Sequence, residues 1–253
     1  MDRSLKFNTR KNGRYWWFSA TQPNYVPPVF DFLSESEWEI MDAWYVETEK
    51  RYPMGTGECN IPAMSLLMGF IMGNNMSRIV QCGHFIGFST LLIGFMARRM
   101  RHKNALFSID IDPSVTEFSQ HWINTAGLQD YVRLVVSDSA RSSLVSEAIN
   151  YLGGKPHLMF IDSSHECNHT LAELRLWVPH LQPGGFCLLH DVSIYASGFD
   201  SRGNGGVKEA FSIFAKEGEL QGLMINEFCG DHHFNDRTVY KDACGLGIIQ
   251  IVS

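Results

Sequence analysis

Arg78–Thr90 reads RIVQCGHFIGFST. The β-branched pair Ile79-Val80 opens the stretch as a strand, Gly83 and Gly87 turn it, and the apolar segment Ser89 to Met100 continues it as a helix. A strand, a glycine turn and a helix N-terminus together make a cradle. Backbone N–H groups point into such a turn, and the polar end of a ligand can approach where no Cβ intervenes. Taken alone, the stretch also fits an ordinary strand-to-helix connection that needs two glycines.

The residues downstream separate the two readings. LFSIDID ends in Asp110 and Asp112, VRLVVSDSA ends in Asp138-Ser139, HLMFID ends in Asp162, and GGFCLLHD ends in His190-Asp191. Five successive strand-like runs, counting the first, each deliver a polar group at the C-terminal end. Helical patterns near 88–101, 113–126, 139–151 and 167–180 alternate with them, which predicts parallel strands joined by right-handed crossovers. Ligands of open parallel sheets bind outside the carboxyl ends of the strands, so these polar groups are expected to face one crevice.

With those motifs in order, Arg78 to Ser193 resembles a class I S-adenosylmethionine-dependent methyltransferase. Within that class it is most similar to the small-molecule group of catechol and caffeoyl-CoA O-methyltransferases and their natural-product relatives. The first motif of the family, roughly E-x-G-x-G-x-G-x-S-T, falls on Gln81, Gly83, Phe85, Gly87, Ser89 and Thr90. Gln81 replaces its acid and Phe85 its middle glycine. SIDIDP, Ser137-Asp138-Ser139, FIDSSH and LQPGGFCLLHD follow in family order and cover, with the first motif, about half the chain. The resemblance implies an α/β, Rossmann-like fold: a seven-stranded, mostly parallel sheet with helices on both faces, its last strand antiparallel. An N-terminal helical and irregular extension precedes it. The expected division is 1–60 for the arm and first helix and 61–253 for the methyltransferase domain.

The composition is consistent with this class. The 253 residues are 45% hydrophobic and 19% charged, enough for one large α/β domain with a modest extension. Acidic residues exceed basic ones, 27 to 21, for a net charge of −6, and no long basic cluster appears. That argues against nucleic acid as the main substrate and favours a neutral or cationic one. The polar, basic start MDRSLKFNTRKNGRYWW carries no signal-peptide core, and no stretch is long enough to span a bilayer, so the expectation is a cytoplasmic protein without a membrane partner. Six cysteines at 59, 82, 167, 187, 229 and 244 lack zinc-site spacing and read as reduced thiols.

Residues 1 to 34, with Tyr15, Trp16, Trp17, Phe18, Tyr25, Phe30 and Phe32, read as an irregular arm because Pro27-Pro28 disfavours regular structure. Rings at this density call for a packing partner. Core packing is the main expectation, and a substrate lid or a homo-oligomer contact are the alternatives. Ser34 reads as the N-cap of a helix running to about Tyr52, with Trp38, Met41, Trp44 and Tyr45 on one face; Pro53 and Gly55-Thr56-Gly57 end it. A second helix spans roughly Ile61 to Met72. After the glycine-rich loop 193–206, a helix near Val207 to Lys216, a strand near Leu223 to Glu227, a second long loop and the strand GLGIIQIV complete the chain. Loops of that length are more often functional than idle.

For the cofactor S-adenosylmethionine, the resemblance assigns Gly83 and Gly87 to the methionine portion, with side-chain hydrogen bonds from Gln81, His84 or Ser89. Asp110, with Ile111 beside it, falls at the ribose position, and Asp138 and Ser139 at the adenine position. Asp162 belongs to both the cofactor and the catalytic sets. The residues themselves also allow Asp110 to cap the helix that begins at Pro113.

Methyl transfer to a hydroxyl or amine needs alignment and a base. The candidates are Asp162, His165, His190 and Asp191. His165 falls three residues after Asp162, where catechol-type enzymes carry a catalytic Lys, and is the choice for general base; an unperturbed histidine has a pKa near ~6.5. Helix capping or a backbone hydrogen bond is its alternative role. Asp191 binds or deprotonates the acceptor in the competing assignment. Metal-dependent relatives carry a third oxygen ligand where this chain has Val192, so no divalent metal is expected to be required. If one binds, Asp162 and Asp191 hold it, with His232-His233 as substitute ligands. The expected function is methylation of a polar small molecule, such as an aminosugar-type natural product. A catechol-like metal-dependent O-methyltransferase and a non-catalytic binding module are the alternatives. A nicotinamide-dependent oxidoreductase would need G-x-G-x-x-G, which Gly83 to Gly87 does not supply.

Overall fold

A computed structural model describes residues 25–52, 57–218, 220, 222–232 and 238–251. The aromatic cluster Tyr15–Phe18, the break at Pro53–Thr56 and His233 lie outside the described residues.

Five strands run parallel: β1 (Ile79–Cys82), β2 (Leu106–Asp110), β3 (Val132–Val136), β4 (Leu158–Ile161) and β5 (Phe186–His190). β6 (Gly222–Ile225) and β7 (Leu246–Gln250) close the sheet, in the order β3-β2-β1-β4-β5-β7-β6, with β7 antiparallel to both its neighbours. The Rossmann-like sheet and its final reversal therefore match the expectation. The chain leaves β1 toward β2 and β3, then returns to lay β4 on the other side. The carboxyl ends of β1 and β4 thus flank the topological switch point, where open α/β sheets form a ligand crevice.

Alternate strand residues feed two cores. Ile79, Leu106, Leu158 and Leu188 pack on the face covered by α2 (Glu35–Arg51), α3 (Ile61–Gly73), α4 (Phe88–Met100) and α5 (Pro113–Thr125). Val80, Phe107, Met159 and Leu189 pack on the face covered by α6 (Ser143–Leu152), α7 (Cys167–Trp177) and α8 (Gly206–Glu217). Trp38, Met41, Trp44 and Tyr45 of α2 are all buried in the first core, with Trp44 and Tyr45 against the Phe88 ring. For the described part of the N-terminal segment, core packing is thus the observed role.

Local chemistry explains the element ends. Ser34 caps α2 reciprocally: its Oγ accepts from Glu37 N–H, and its own N–H donates to Glu37 Oε2. Glu37 also receives Arg98 at 2.7 Å, which ties α2 to α4. Two local expectations change. Pro28 does not break structure but starts a short helix, α1 (Pro28–Asp31); proline is tolerated at the first helical position, whose N–H needs no partner, and Val29 and Phe30 are buried there. α6 begins at Ser143 rather than near 139, because Asp138 accepts from Ala140 N–H and holds the segment in a turn. Loop 193–206 contains one 3-10 turn, Ala196–Phe199.

Candidate active site at the sheet switch point

Outside the carboxyl ends of β1, β2, β3 and β4 lies a cavity of about 430 Å³. Its wall includes the 83–86 turn, Ser89, Asp110, Ile111, Asp138, Ser139, the segment 162–165 and His169, with Gly57, Glu58 and Cys59 closing it from the N-terminal side. That size is in the range of small-molecule sites.

The turn is shaped by contacts that only glycine permits. Gly83 has φ +85°, and a Cβ there would lie 1.9 Å from the Asp162 carbonyl oxygen. Gly87, at φ +88°, is the N-cap of α4 and faces Ser119 rather than the cavity. Trp44 reaches across from α2 and donates its indole N–H to Ile86 O at 2.8 Å, and Ser119 donates to Phe85 O at 2.6 Å. The turn is therefore held from two sides before any ligand arrives.

Three expected cofactor contacts are corrected. Gln81 is fully buried and does not line the cavity; its amide donates to Gly83 O and Ser89 Oγ and accepts from Thr90 and Ser108. The His84 backbone lies on the cavity, but its ring is buried between Ser108 Oγ and Thr116 Oγ1, and burial drives its pKa down to about 4 despite the charge of Asp110. Gly87 serves the helix start. The departures Gln81 and Phe85 fit this arrangement. Gln81 supplies the donors and acceptors that knit the turn to β2, and Phe85 packs its ring at a tilt against Tyr52 of the N-terminal segment.

Asp110 sits on the cavity wall as expected. Its Oδ2 accepts from His84 N–H (3.1 Å) and Phe85 N–H (2.8 Å), and its Oδ1 accepts from Asp112 N–H. The capping role falls to Asp112, whose carboxylate accepts from Ser114 N–H. Asp138 and Ser139 line the cavity beyond β3, and Ser89 lines it at the start of α4.

Beside the cavity stands a cluster of ionisable groups. His165 Nε2 is 3.1 Å from Asp191 Oδ2 and 4.0 Å from Asp162 Oδ1. His190 Nδ1 lies 3.4 Å from both Asp162 and Asp191, and its Nε2 is 3.2 Å from Asp242. Burial would lower the pKa of His190, but Asp191, the Cys59 thiol, Asp242 and Asp162 outweigh it and raise the pKa well above its usual range. Burial would raise that of Asp191, yet the charge of His190, then of His165, holds it low. Phe85, His165 and Asp191 all have positive φ, 40°, 59° and 67°. Such backbone is costly for residues other than glycine and gathers at functional sites.

Sequence reasoning missed Asp242, His169 and Glu173. Asp242 is fully buried, 52 positions from His190, and also receives Asn60. The expected substitute ligand His232 stacks near Tyr195 and joins none of the donor clusters among the described residues. Val192 is buried, and its side chain packs toward Gly245 and Gly247 instead of offering a ligand.

Residues 80–192 match the family described as a methyltransferase domain. This part of the chain is similar to that family. No curated protein matches the chain in sequence. Solved methyltransferases share its fold. The SAH-bound methyltransferase PaMTH1 of Podospora anserina has 14% identity and a TM-score of 0.65, over 87% of this chain and 89% of that one. An O-methyltransferase from Bacillus cereus in complex with SAH has 14% identity and a TM-score of 0.64, over 94% and 99%. The O-methyltransferase TomG from Streptomyces achromogenes, involved in tomaymycin synthesis and solved with SAM, has 15% identity and a TM-score of 0.65, over 96% and 100%. The matched segment runs from β1 to just past β5 and contains every cavity wall except the 57–59 lip. Among the described residues, no helix is long and apolar enough to cross a membrane.

Proposed function

We propose that the chain binds S-adenosylmethionine in the 430 Å³ cavity and methylates a hydroxyl group of a polar small molecule. The observation that carries the reading is the His165–Asp191 pair at 3.1 Å, beside the same cavity that Asp110 and Asp138 line. The cofactor would bring an electrophilic methyl on a positively charged sulfur. Asp110 would accept from a ribose hydroxyl on its remaining Oδ1 lone pair, since three backbone N–H groups occupy the others. Asp138 and Ser139 would meet the adenine, with Ile111 and Asp162 completing the wall.

His165 Nε2 stands 3.1 Å from Asp191 Oδ2, so the tautomer with its proton on Nε2 would turn that proton toward the carboxylate. That tautomer leaves a lone pair on Nδ1, the nitrogen that would take the acceptor's proton. The low pKa of Asp191 keeps it charged, which suits both orienting the ring and stabilising the imidazolium that forms. Phe199, 5.7 Å from the His165 ring and edge-on to Tyr195, would supply an apolar wall for the acceptor. The Asp162–Asp191 side and the net charge of −6 support a polar acceptor with a cationic group, of the aminosugar type. Oxygen as the methylated atom is supported by the O-methyltransferases of the same fold, and natural-product biosynthesis by TomG. A cytoplasmic enzyme fits both. Methyl-labelled S-adenosylmethionine, incubated with the purified chain and paired hydroxyl and amine acceptors, tests the reading. Label in a hydroxyl product supports it, and label in no product with any acceptor of either class contradicts it.

A second reading rests on the spacing of the same groups. Asp162, His165 and Asp191 bring donor atoms within 4.8 Å of one another, a set that fits a divalent ion. These three residues would hold the ion, whose chemistry would be to lower the pKa of the acceptor hydroxyl. Exhaustive chelation leaves activity intact under the histidine-base reading. Loss on chelation, restored by a divalent cation, selects the metal reading.

A further inference from the structure

Glu173 is a carboxylic acid with 0% exposure in the middle of α7, a helix that also buries Leu171, Leu174 and Trp177, and it meets the Cys82 thiol. Burying such a group is costly unless its oxygens are bonded, and an apolar residue would fill an interior position of α7 at lower cost. Apart from the Cys82 thiol, the polar groups that meet it belong to residues lining the cavity. Ser139, just past β3, donates its hydroxyl to Oε1, and Ser163, just past β4, donates to Oε2 at 2.8 Å. His169 Nδ1 stands 3.6 Å from Oε2, at ion-pair distance. The other ring nitrogen of His169 is 3.0 Å from Asp138 Oδ1, which also accepts from Ala140 N–H. Among the described residues, the contacts of the Asp138 carboxylate fall on Oδ1 and leave Oδ2 open.

We infer that Glu173 is a positioning residue for the purine end of the site. Through Ser139 and Ser163 it clamps the loops after β3 and β4 together, and through His169 it fixes Asp138 so that one carboxylate oxygen meets an exocyclic amine. The inference rests on the reading that S-adenosylmethionine occupies the cavity with its adenine at Asp138. A fixed carboxylate oxygen accepts from a 6-amino group and repels a 6-oxo group, so the device selects adenine over hypoxanthine. His169 is suited to the bridge. Glu173, and then Asp138, hold its pKa at about 9 against the burial that would lower it, so the ring carries a proton on both nitrogens at neutral pH.

The test compares binding of S-adenosylhomocysteine and S-inosylhomocysteine by calorimetry, in the wild-type chain and in Glu173→Gln, His169→Ala and His169→Gln. The wild type should prefer the adenosyl compound by ~tenfold or more, the scale of one charge-assisted hydrogen bond. Glu173→Gln and His169→Ala should bring the two ligands to within about threefold of each other. His169→Gln, whose amide can still donate to Asp138, should recover part of the preference. At saturating S-adenosylmethionine, kcat should stay within about twofold in all three, with the loss confined to KM. Should Glu173→Gln fail to fold, the two His169 variants decide, because that ring is partly exposed. A wild type that binds neither ligand overturns the cofactor reading itself. A wild type that binds S-adenosylhomocysteine but not selectively, or variants that keep full selectivity, overturns the role given to Glu173 and His169.

Discussion

Replacing His165 by alanine removes a ring with few structural duties and one chemical one. Its side chain is 36% exposed, and its described contacts are the ion pairs to Asp191 and Asp162 and the tilted Phe199 ring. An ion pair at that exposure contributes at most about 1 kcal/mol to stability, so the variant should fold and bind cofactor nearly as the wild type does. Under the proposed role, the reaction loses its base. General-base removal lowers rates by ~10²–10⁴, equivalent to about 3–5 kcal/mol in the barrier. The assay is single-turnover methyl transfer at saturating S-adenosylmethionine, on the pH plateau, with Asp191→Asn measured in parallel. Because Asp191 contacts both His165 and His190, its amide should misorient the ring and cost a comparable factor. A His165→Ala enzyme that keeps most of the wild-type kcat, beside a crippled Asp191→Asn, would refute the histidine base and pass the proton to Asp191.

Three further outcomes follow from the same contacts. Asp110→Ala should weaken S-adenosylmethionine by ~tenfold or more, since one charge-assisted hydrogen bond contributes about 1.5–3 kcal/mol; it also frees the His84 and Phe85 N–H groups that shape the turn, and an unchanged dissociation constant in a folded variant would remove Asp110 from the site. Gly83→Ala should abolish folding or cofactor binding outright, because its Cβ would collide with the Asp162 carbonyl, and a variant with wild-type melting temperature and affinity would show that contact to be misjudged. His169 has its folded pKa raised to about 9 from an ordinary ~6.5, so its contribution to stability is fully present below about pH 6.5 and is lost as pH rises through about 9. Urea midpoints of wild type and His169→Gln should therefore converge between pH 6 and 10 (roughly the span of that linkage), and a constant gap across that range would contradict the assignment.

Much of the fold was legible because its signals are local. β2 and β5 end in Asp110 and His190, Asp138 and Asp162 stand within two residues past β3 and β4, and the Ser34–Glu37 capping box is written within four residues. The polar groups at the ends of β2, β3 and β4 share one crevice, while Gln81 of β1 is buried away from it and His190 and Asp191 at the end of β5 stand beside it. What escaped the sequence depends on partners far along the chain. Gln81 and His84 read as ligand contacts, but Ser108 and Thr116, on β2 and α5, take up their polar groups. Asp242 joins the cluster from a loop 52 residues beyond His190. The four-residue spacing of His169 and Glu173 was visible on one helical face, yet nothing local marked Ser139, 34 positions from Glu173, as its partner. Pro27-Pro28 misled in the other direction, since the proline rule that breaks a helix interior also permits a helix start.

Calorimetric titration of S-adenosylhomocysteine into the purified chain, with Asp110→Ala as its control, tests the central claim most directly. The wild type should show a single site per chain, with binding weakened by ~tenfold or more in the folded variant. No binding to the wild type, or equal binding to both proteins, would contradict it.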